Sequence, residues 1–400
     1  MIALSAGGII APEEEAGFVA AISAAAADRA PLAIEGLGSK AGFLREIQTT
    51  ATLSTRNFTG IPLYAPQELI ISVRSGTTLA AVEAKLAEGG QHLIAEPPHY
   101  AFLEARAQTI GGVVAANLSG PRRVAWGAMR DHVMGMRAVT GRGELIRSGG
   151  RVLKNVTGLD LCKLFAGSYG TLGVMTEVTL KVLPKPQATG TVVLHGLPSH
   201  EAVRALAVAL GSPFSVSGAA FLPQEAAMAV GHERAITIAR IEDFADSVTY
   251  RTAQLAALWA KFGVVETLET AASVTLWRAV RDAEPLPIQP GDAVWRVSVR
   301  PSLGAMVLDA GHAAGLFGYL DWGGGLVFLT GPATHEAHQA VVDAARRAKG
   351  DWWLLRAPAA LRQSTDAVPH EAPALAAIRQ RVVAAFDPSG ILNPGRLFAT

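Results

Sequence analysis

Hydrophobic and polar positions follow two different periods along the first 190 residues, which predicts alternating helices and strands. Helical spacing marks 13–27 and 79–88, and strand-like runs lie at 31–35, 69–74 and, as a hairpin broken at 141–143, within 133–146. Residues 174–182 alternate apolar and polar side chains, as in a half-buried strand, and two prolines follow. We therefore expect a first domain that ends near residue 186.

The pattern changes after this boundary. Strand-like runs at 191–195, 215–221, 235–240 and near 264 and 294 alternate with helix-like runs at 200–210 and 244–262. Such a pattern is typical of an α+β domain with helices on one face of an antiparallel sheet. We predict three parts: 1–186, an α+β part at 187–372, and a helix with a tail at 373–400.

Composition and charge exclude several classes of protein. The chain has 400 residues, a formal net charge of +1 and 17% charged residues, with no basic block suited to nucleic acid. No window approaches the roughly 20 apolar residues of a membrane span. We expect a cytoplasmic protein, with any membrane association made through partners. The single cysteine, Cys162, excludes an internal disulfide and a self-contained zinc or iron-sulfur site, so we expect no metal centre.

A first glycine loop follows the predicted strand at 31–35. Its sequence, G-L-G-S-K-A at 36–41, formally matches a dinucleotide fingerprint, but no carboxylate stands about 20 residues later, so a Rossmann domain is rejected. Bare backbone N–H groups at Gly36 and Gly38, with the Ser39 hydroxyl and the Lys40 ammonium, are suited to a diphosphate. An ordinary tight turn is the alternative.

A second segment, T-I-G-G-V-V-A-A-N-L-S-G at 109–120, opens a helix with Gly111 and Gly112 and ends in Asn117, Ser119 and Gly120. A helix N-terminus favours phosphate oxygens. The alternative is that these glycines serve close packing of the helix.

Two further segments complete the pattern. Residues 154–186 place Gly167, Gly170 and Gly173 in one turn before a strand, and 386–398 has the sequence F-D-P-S-G-I-L-N-P-G-R-L-F. Together these segments resemble the vanillyl-alcohol-oxidase-like family of FAD-binding proteins, in its D-2-hydroxyacid dehydrogenase branch. Residues 155–158 are similar to the Asn-x-x-Gly-Tyr-Asp motif of that family, with Leu159 in place of the aromatic residue.

The resemblance implies an α+β fold: a two-part FAD-binding domain, a ferredoxin-like cap domain, and a C-terminal tail that returns to the flavin domain. It also implies FAD contacts at the residues of the two loops above, at Val174 and at Asn393. Relatives with covalent flavin use a histidine in or just after the first loop. Ser39 and Lys40 stand there instead, so we expect noncovalent FAD.

The branch usually carries a metal-binding cluster, His-x-Gly-Asp-Gly-Asn-x-His, in its second domain. At the comparable point this chain has D-W-G-G-G-L-V-F-L, at 321–329, without histidine. In keeping the flavin motifs while lacking the metal-binding cluster, the chain resembles the smaller FAD-binding subunits of bacterial glycolate oxidase. That family implies an FAD-dependent oxidoreductase subunit acting on glycolate, with a second flavoprotein subunit and an iron-sulfur subunit as partners.

The catalytic residues are not determined by the sequence. Arg296 lies on one strand face with Ser298 and Arg300, and it is a candidate to bind the carboxylate of a substrate. The alternative is that this strand face is exposed to solvent or contacts another subunit. Arg122 and Arg123 either neutralise the pyrophosphate or pair with a partner. Two other functions stay open: a self-sufficient FAD-dependent 2-hydroxyacid dehydrogenase, and an assembly subunit without redox activity.

Overall fold

The computed structural model describes residues 7–103, 107–150 and 159–398. In these ranges the strands form three sheets, two before residue 185 and one after residue 187. The motif at 155–158 lies outside the described residues. None of the helices in the described ranges is long and apolar enough to cross a membrane.

A small parallel sheet comes first in the chain. It consists of β1 (Ile9–Ile10), β2 (Leu32–Glu35) and β3 (Ala51–Ser54), with helix α1 (Glu15–Asp28) between β1 and β2. Phe18, Ala21, Ile22 and Ala25 of α1 are fully buried, at the spacing of one helix face. Burial of this face explains why α1 covers the sheet.

The second sheet is antiparallel and contains six strands. In chain order its strands and the neighbouring helices are β4 (Leu63–Ala65), β5 (Ile70–Arg74), α2 (Leu79–Glu88), β6 (Gln91–Leu93), α3 (Ile110–Ala115), α4 (Arg123–Trp126), β7 (Val133–Thr140), β8 (Leu145–Gly149), α5 (Leu161–Phe165) and β9 (Gly173–Pro184). β9 lies in the centre, between β5 and β7, and also pairs with β6.

The predicted strand at 174–182 is present as part of β9, but the expectation that it is half-buried is wrong. Val174 packs into the core of the small parallel sheet, while Met175, whose side chain points to the opposite face, packs into the main core. Even the polar Thr179 is buried, and its hydroxyl lies 2.7 Å from the hydroxyl of Ser72. β9 is therefore covered on both faces, because the small sheet packs over one of them.

The third sheet has eight strands, and every pair in it is antiparallel. Its strands are β10 (Ala188–His195), β11 (Val216–Leu222), β12 (Ile236–Asp243), β13 (Val265–Leu268), β14 (Asp292–Ser298), β15 (Phe317–Asp321), β16 (Leu326–Pro332) and β17 (Asp351–Arg356). The helices of this region are α6 (Ser199–Leu210), α7 (Gln224–Met228), α8 (Ala245–Trp259), α9 (Thr270–Asp282), α10 (Gly304–Ala313) and α11 (His335–Arg347).

The strand order β13-β10-β12-β11-β15-β16-β14-β17 divides this sheet into two ferredoxin-like units. Each half runs strand, helix, strand, strand, helix, strand, with the short helix α7 inserted between β11 and β12 of the first half. The halves join where Phe221 of β11 pairs with Leu320 of β15. The sequence patterns predicted the α+β class but not this duplication. The predicted boundary at residue 186 falls between the end of β9 and the start of β10.

Helices cover both faces of the third sheet, which corrects the expectation of helices on one face only. A Cβ on Gly190 would meet Thr252 of α8, whereas a Cβ on Gly218 would meet Trp277 of α9, on the opposite face. The C-terminal end of α9 contacts the first part of the chain, because the Asp282 carboxylate accepts the N–H of His99. This face of the sheet is therefore turned toward the first two sheets.

The C-terminal segment returns to the first part of the chain, as the family resemblance implies. After α12 (Ala359–Ser364) and α13 (Pro373–Phe386), Ile391 accepts a hydrogen bond from the N–H of Leu32, and Asn393 donates its N–H to the carbonyl of Leu32. The tail thereby pairs with the outer edge of β2, the strand that leads into the first glycine loop.

Candidate cofactor site

A cavity of about 550 Å³ opens beside the first glycine loop. Its wall comes from β2, the loop after it, the start of α3, the turn before β9 and the C-terminal tail. Among the predicted site residues, those in the wall are Gly36, Gly38, Ser39, Lys40, Gly111, Gly112, Val174 and Asn393. The tertiary structure thus brings together segments from four distant parts of the sequence.

The first loop approaches α3 so closely that a side chain would not fit. A Cβ on Gly36 would overlap the side chain of Thr109, and Gly38 has a φ of 77°. Gly42, further along the same wall, has open space around the position of a Cβ. Glycine is therefore required at the start of the loop and not at its end.

Lys40 is the cation of this loop. Its ammonium lies 3.3 Å from the Ser39 hydroxyl, and burial lowers the pKa of Lys40 to about 7. Arg396, another cation of the wall, donates hydrogen bonds to the carbonyls of Ala41 and Phe43, and burial lowers its pKa to about 10. Two cations destabilised by burial make the cavity favourable for an anion.

The second segment contributes space rather than hydrogen bonds. The N–H of Ile110 donates to Thr77, that of Gly111 to Ser75, and that of Gly112 to the Thr109 hydroxyl. The expectation that the N-terminus of this helix favours phosphate oxygens is therefore not supported by its hydrogen bonds, because these amides already have acceptors. Gly111 remains necessary, because a Cβ there would press against Ser75.

Asn393 joins the tail to two other parts of the wall. Its side-chain carbonyl accepts the N–H of Ile34 at 2.8 Å, and its amide donates to the carbonyls of Ile34 and Tyr169 at 3.3 and 2.7 Å. Asn393 is 2% exposed and has a φ of 45°, in the left-handed region. A Cβ on Gly170, which has a φ of 75°, would approach the same amide. Asn393 therefore holds β2 and the third turn in place.

Asn117, Ser119 and Gly120 do not line this cavity. The Asn117 side chain accepts the N–H of Arg130, and the Ser119 hydroxyl accepts the N–H of Met129, both at 2.9 Å. The carbonyl of Gly120 accepts the indole N–H of Trp322, in the turn after β15, at 3.1 Å. In the structure these residues shape and connect the region next to the cavity.

Arg122 takes part in an ion-pair network within the chain, so the expectation that it neutralises pyrophosphate or pairs with a partner is corrected. Its guanidinium lies 2.6 Å from Glu242, and Arg240 lies 2.8 Å from Glu96. Burial alone raises the pKa of Glu242, but the charges of Arg240 and Arg122 outweigh it and bring that pKa to about 2. The network ties the segment around residue 96 to the third sheet.

Arg296 and Arg123 lie apart from both the cavity and this network. Arg296, on β14, faces Trp322 and Trp353, and Arg123 faces Trp322. Neither lines the cavity. Among the described residues, no group of three or more histidine, cysteine, aspartate or glutamate side chains is placed to hold a metal ion.

Sequence reasoning missed several residues of the wall. Ser75, at the end of β5, has a buried hydroxyl without a hydrogen-bond partner among the described residues. Tyr169 lies inside the third glycine turn, and Arg396 lies in the N-P-G-R run of the tail. Tyr169 and Arg396 lie within the segments that the sequence pattern singled out, and their proximity to Gly170 and Asn393 could have identified them.

These features fit a dinucleotide cofactor. The cavity lies within the range of about 300 to 1,000 Å³ that is usual for ligand pockets, and glycines border it where a Cβ would collide. The unpartnered Ser75 hydroxyl and the Lys40 ammonium supply a donor and a cation for phosphate oxygens.

Comparison with known proteins agrees with this geometry. A family model described as an FAD binding domain matches residues 6–149. Glycolate oxidase subunit GlcE of Escherichia coli is 35% identical over 384 residues, which are 94% of this chain and 95% of that protein. Glycolate oxidase subunit GlcD of Bacillus subtilis is 45% identical over 85 residues, 21% of this chain and 18% of that protein.

A solved structure shares this fold. The crystal structure of p-cresol methylhydroxylase with substrate bound matches with a TM-score of 0.73 at 14% identity, over 98% of this chain and 89% of that one. This confirms the predicted α+β fold of the vanillyl-alcohol-oxidase type, and FAD is the cofactor that the family model indicates. The chain belongs to the GlcE family of glycolate oxidase subunits, FAD-dependent oxidoreductases that act on CH–OH donors.

Proposed function

We propose that this chain is the FAD-binding subunit of a glycolate oxidase complex that oxidises glycolate to glyoxylate. The observation that carries the proposal is the similarity to GlcE, which extends over 94% of the chain and is not limited to the flavin domain. In this proposal a second flavoprotein subunit and an iron-sulfur subunit complete the complex.

We further propose that the cavity holds FAD without a covalent bond. When bound, FAD supplies two-electron redox chemistry. Lys40 and the Ser75 hydroxyl would face the diphosphate, while Gly36 and Gly111 give it room. Asn393 would keep the wall rigid through its three hydrogen bonds. The first loop offers Ser39 and Lys40, not histidine, where covalent relatives have their attachment site.

The loop after β15 supports a role that depends on partners. It carries Trp322 and three glycines at the point where the dehydrogenase branch has its histidine cluster. The only cysteine of the sequence, Cys162, is buried, and burial raises its pKa. Electrons removed from glycolate therefore leave through another subunit in this proposal, and hydroxyacid turnover by the isolated chain should be weak.

The test uses the purified chain and its complex. The visible spectrum is recorded before and after anaerobic addition of glycolate, and the supernatant is checked for flavin after acid precipitation. A yellow chain that releases FAD, stays oxidised with glycolate alone and is retained by a tagged GlcD-type subunit supports the proposal. Rapid bleaching of the isolated chain by glycolate would instead identify a self-sufficient dehydrogenase. A colourless chain that takes up no FAD would leave only the assembly role.

A further inference from the structure

Two arginine side chains from distant segments stack on the same indole. The guanidinium carbon of Arg123, in α4, lies 4.5 Å from the ring centroid of Trp322, and that of Arg296, in β14, lies 4.9 Å from it. Arg296 also lies 5.5 Å from the ring centroid of Trp353. Burial, together with the nearby charge of Arg296, lowers the pKa of Arg123 to about 10. The fold thus holds two like charges close together.

Neither arginine has an anionic partner within the described ranges. No carboxylate of those ranges comes within 4.0 Å of either guanidinium, in contrast to Arg122 and Arg240 nearby. The Nε of Arg296 is buried and has no acceptor among the described residues. A buried charged donor without an acceptor is costly, so a group that supplies negative charge here would stabilise the site.

The indole that both arginines contact is held by a strained turn. Trp322 has a φ of 52°, an unusual value for a bulky residue, and Gly323 and Gly324 that follow also have positive φ. The Asp321 carboxylate accepts the N–H of Trp322 at 2.7 Å, and the Trp322 indole donates to the carbonyl of Gly120 at 3.1 Å. Strain that the surroundings maintain in this way clusters at ligand sites.

Arg296 lies on the face of the third sheet that is turned toward the first two sheets and their cofactor cavity, where its cross-strand neighbour Phe328 contacts Tyr100. Tyr169 lines that cavity, and although burial raises the pKa of Tyr169, the charge of Arg296 acts in the opposite direction. The side chain of Arg296 does not itself line the cavity. Both arginines are half-buried, which leaves them accessible to a small solute.

We propose that Arg123 and Arg296, which both lie against Trp322, form a binding site for a small carboxylate of the 2-hydroxy acid class. Planar guanidinium groups match the two oxygens of a carboxylate, and the indole offers an apolar surface to a short carbon chain. The site contains no histidine. The choice of a 2-hydroxy acid rests on the proposed function, whereas the preference for a carboxylate rests on the two unpartnered arginines.

The test is calorimetric titration of the FAD-loaded chain with glycolate. Glycolamide serves as the neutral analogue and inorganic phosphate as a competing anion. The variants are Arg123→Gln and Arg296→Gln, and the matched control is Arg300→Gln, an exposed arginine two residues beyond the end of β14. FAD content and melting temperature are measured for each variant, so that binding is compared only among folded, yellow proteins.

We expect saturable binding of glycolate that weakens roughly 10- to 100-fold in either glutamine variant, since a hydrogen bond to a charged group is lost. Arg300→Gln should bind like the wild type, and glycolamide should not bind. The proposal is overturned if a yellow wild-type chain shows no saturable binding, if Arg300→Gln weakens it equally, or if phosphate binds as tightly as glycolate. A chain that cannot take up FAD refutes the proposed function instead. If Arg296→Gln does not fold, Arg123→Gln still decides the question.

Discussion

The pKa of Lys40 makes the affinity for FAD depend on pH. In the FAD-free chain burial lowers this pKa to about 7, while a diphosphate beside the ammonium favours the charged form and raises the pKa again. Binding at alkaline pH must therefore take up a proton. Affinity should be constant below pH 7 and should fall as the pH rises above it, until the pKa of the complex is reached.

The size of the effect follows from the fraction of charged lysine. With a pKa of about 7, half of the FAD-free chains carry the charge at pH 7 and roughly 1% at pH 9, so the dissociation constant should rise about 50-fold over this interval. Isothermal titration of the FAD-free chain with FAD, in buffers of different ionisation enthalpy, measures both the affinity and the protons taken up.

Two variants separate Lys40 from other titrating groups. Lys40→Met should bind FAD weakly, with little change between pH 7 and pH 9. Lys163→Met, which removes a lysine whose side chain is 56% exposed, should keep the wild-type profile. A wild-type affinity that stays flat between pH 6 and pH 9, or that is unchanged in Lys40→Met, would refute the reasoning.

Three further predictions concern the cavity wall and the buried ion pairs. Gly36→Ala should lower the free energy of unfolding by about 1 to 3 kcal/mol, because the Cβ of the new alanine would overlap Thr109. The purified variant should also contain much less FAD. Gly42→Ala should change neither the melting temperature nor the flavin content, so equal effects would contradict the steric argument. Asn393→Ala removes three hydrogen bonds and should lower the free energy of unfolding in urea by about 3 kcal/mol; a loss below about 1 kcal/mol would show that water replaces them. Glu96→Gln leaves buried positive charge uncompensated and should lower the free energy of unfolding by about 3 kcal/mol in the same assay. The control Glu88→Gln, at an exposed carboxylate, should lower it by under about 1 kcal/mol. Similar losses in the two variants would show that the buried pair has no special role.

The same network predicts how stability responds to acid. The charges of Arg240 and Arg122 hold the pKa of Glu242 at about 2, below its ordinary value of 4.5. A carboxylate with a lowered pKa contributes stability that is present above its unfolded-state pKa and is lost as the pH falls through the folded-state value. We therefore expect the melting temperature of the chain to decline between about pH 5 and pH 2.

Local sequence determined much of the fold and part of the site. Helix α2 has the predicted bounds, because a capping Thr78 and the terminal Gly89 mark its ends. The glycines at 36, 111 and 170 were recognisable because only glycine fits where backbone meets a neighbour, and each lines the cavity. The ordered run of glycine segments, with the tail that follows, was enough to indicate the family.

Tertiary structure decided which groups remain available for a ligand. The amides at the start of α3 donate to the carbonyls of Ser75 and Thr77, and the Ser119 hydroxyl donates to the carbonyl of Asn117, so neither offers a free donor. The burial of Lys40 and the meeting of Arg123 with Arg296 depend on segments far apart in the sequence. Local patterns specify where the backbone turns, but hydrogen-bond partners, burial and the proximity of charges arise only when distant segments pack together.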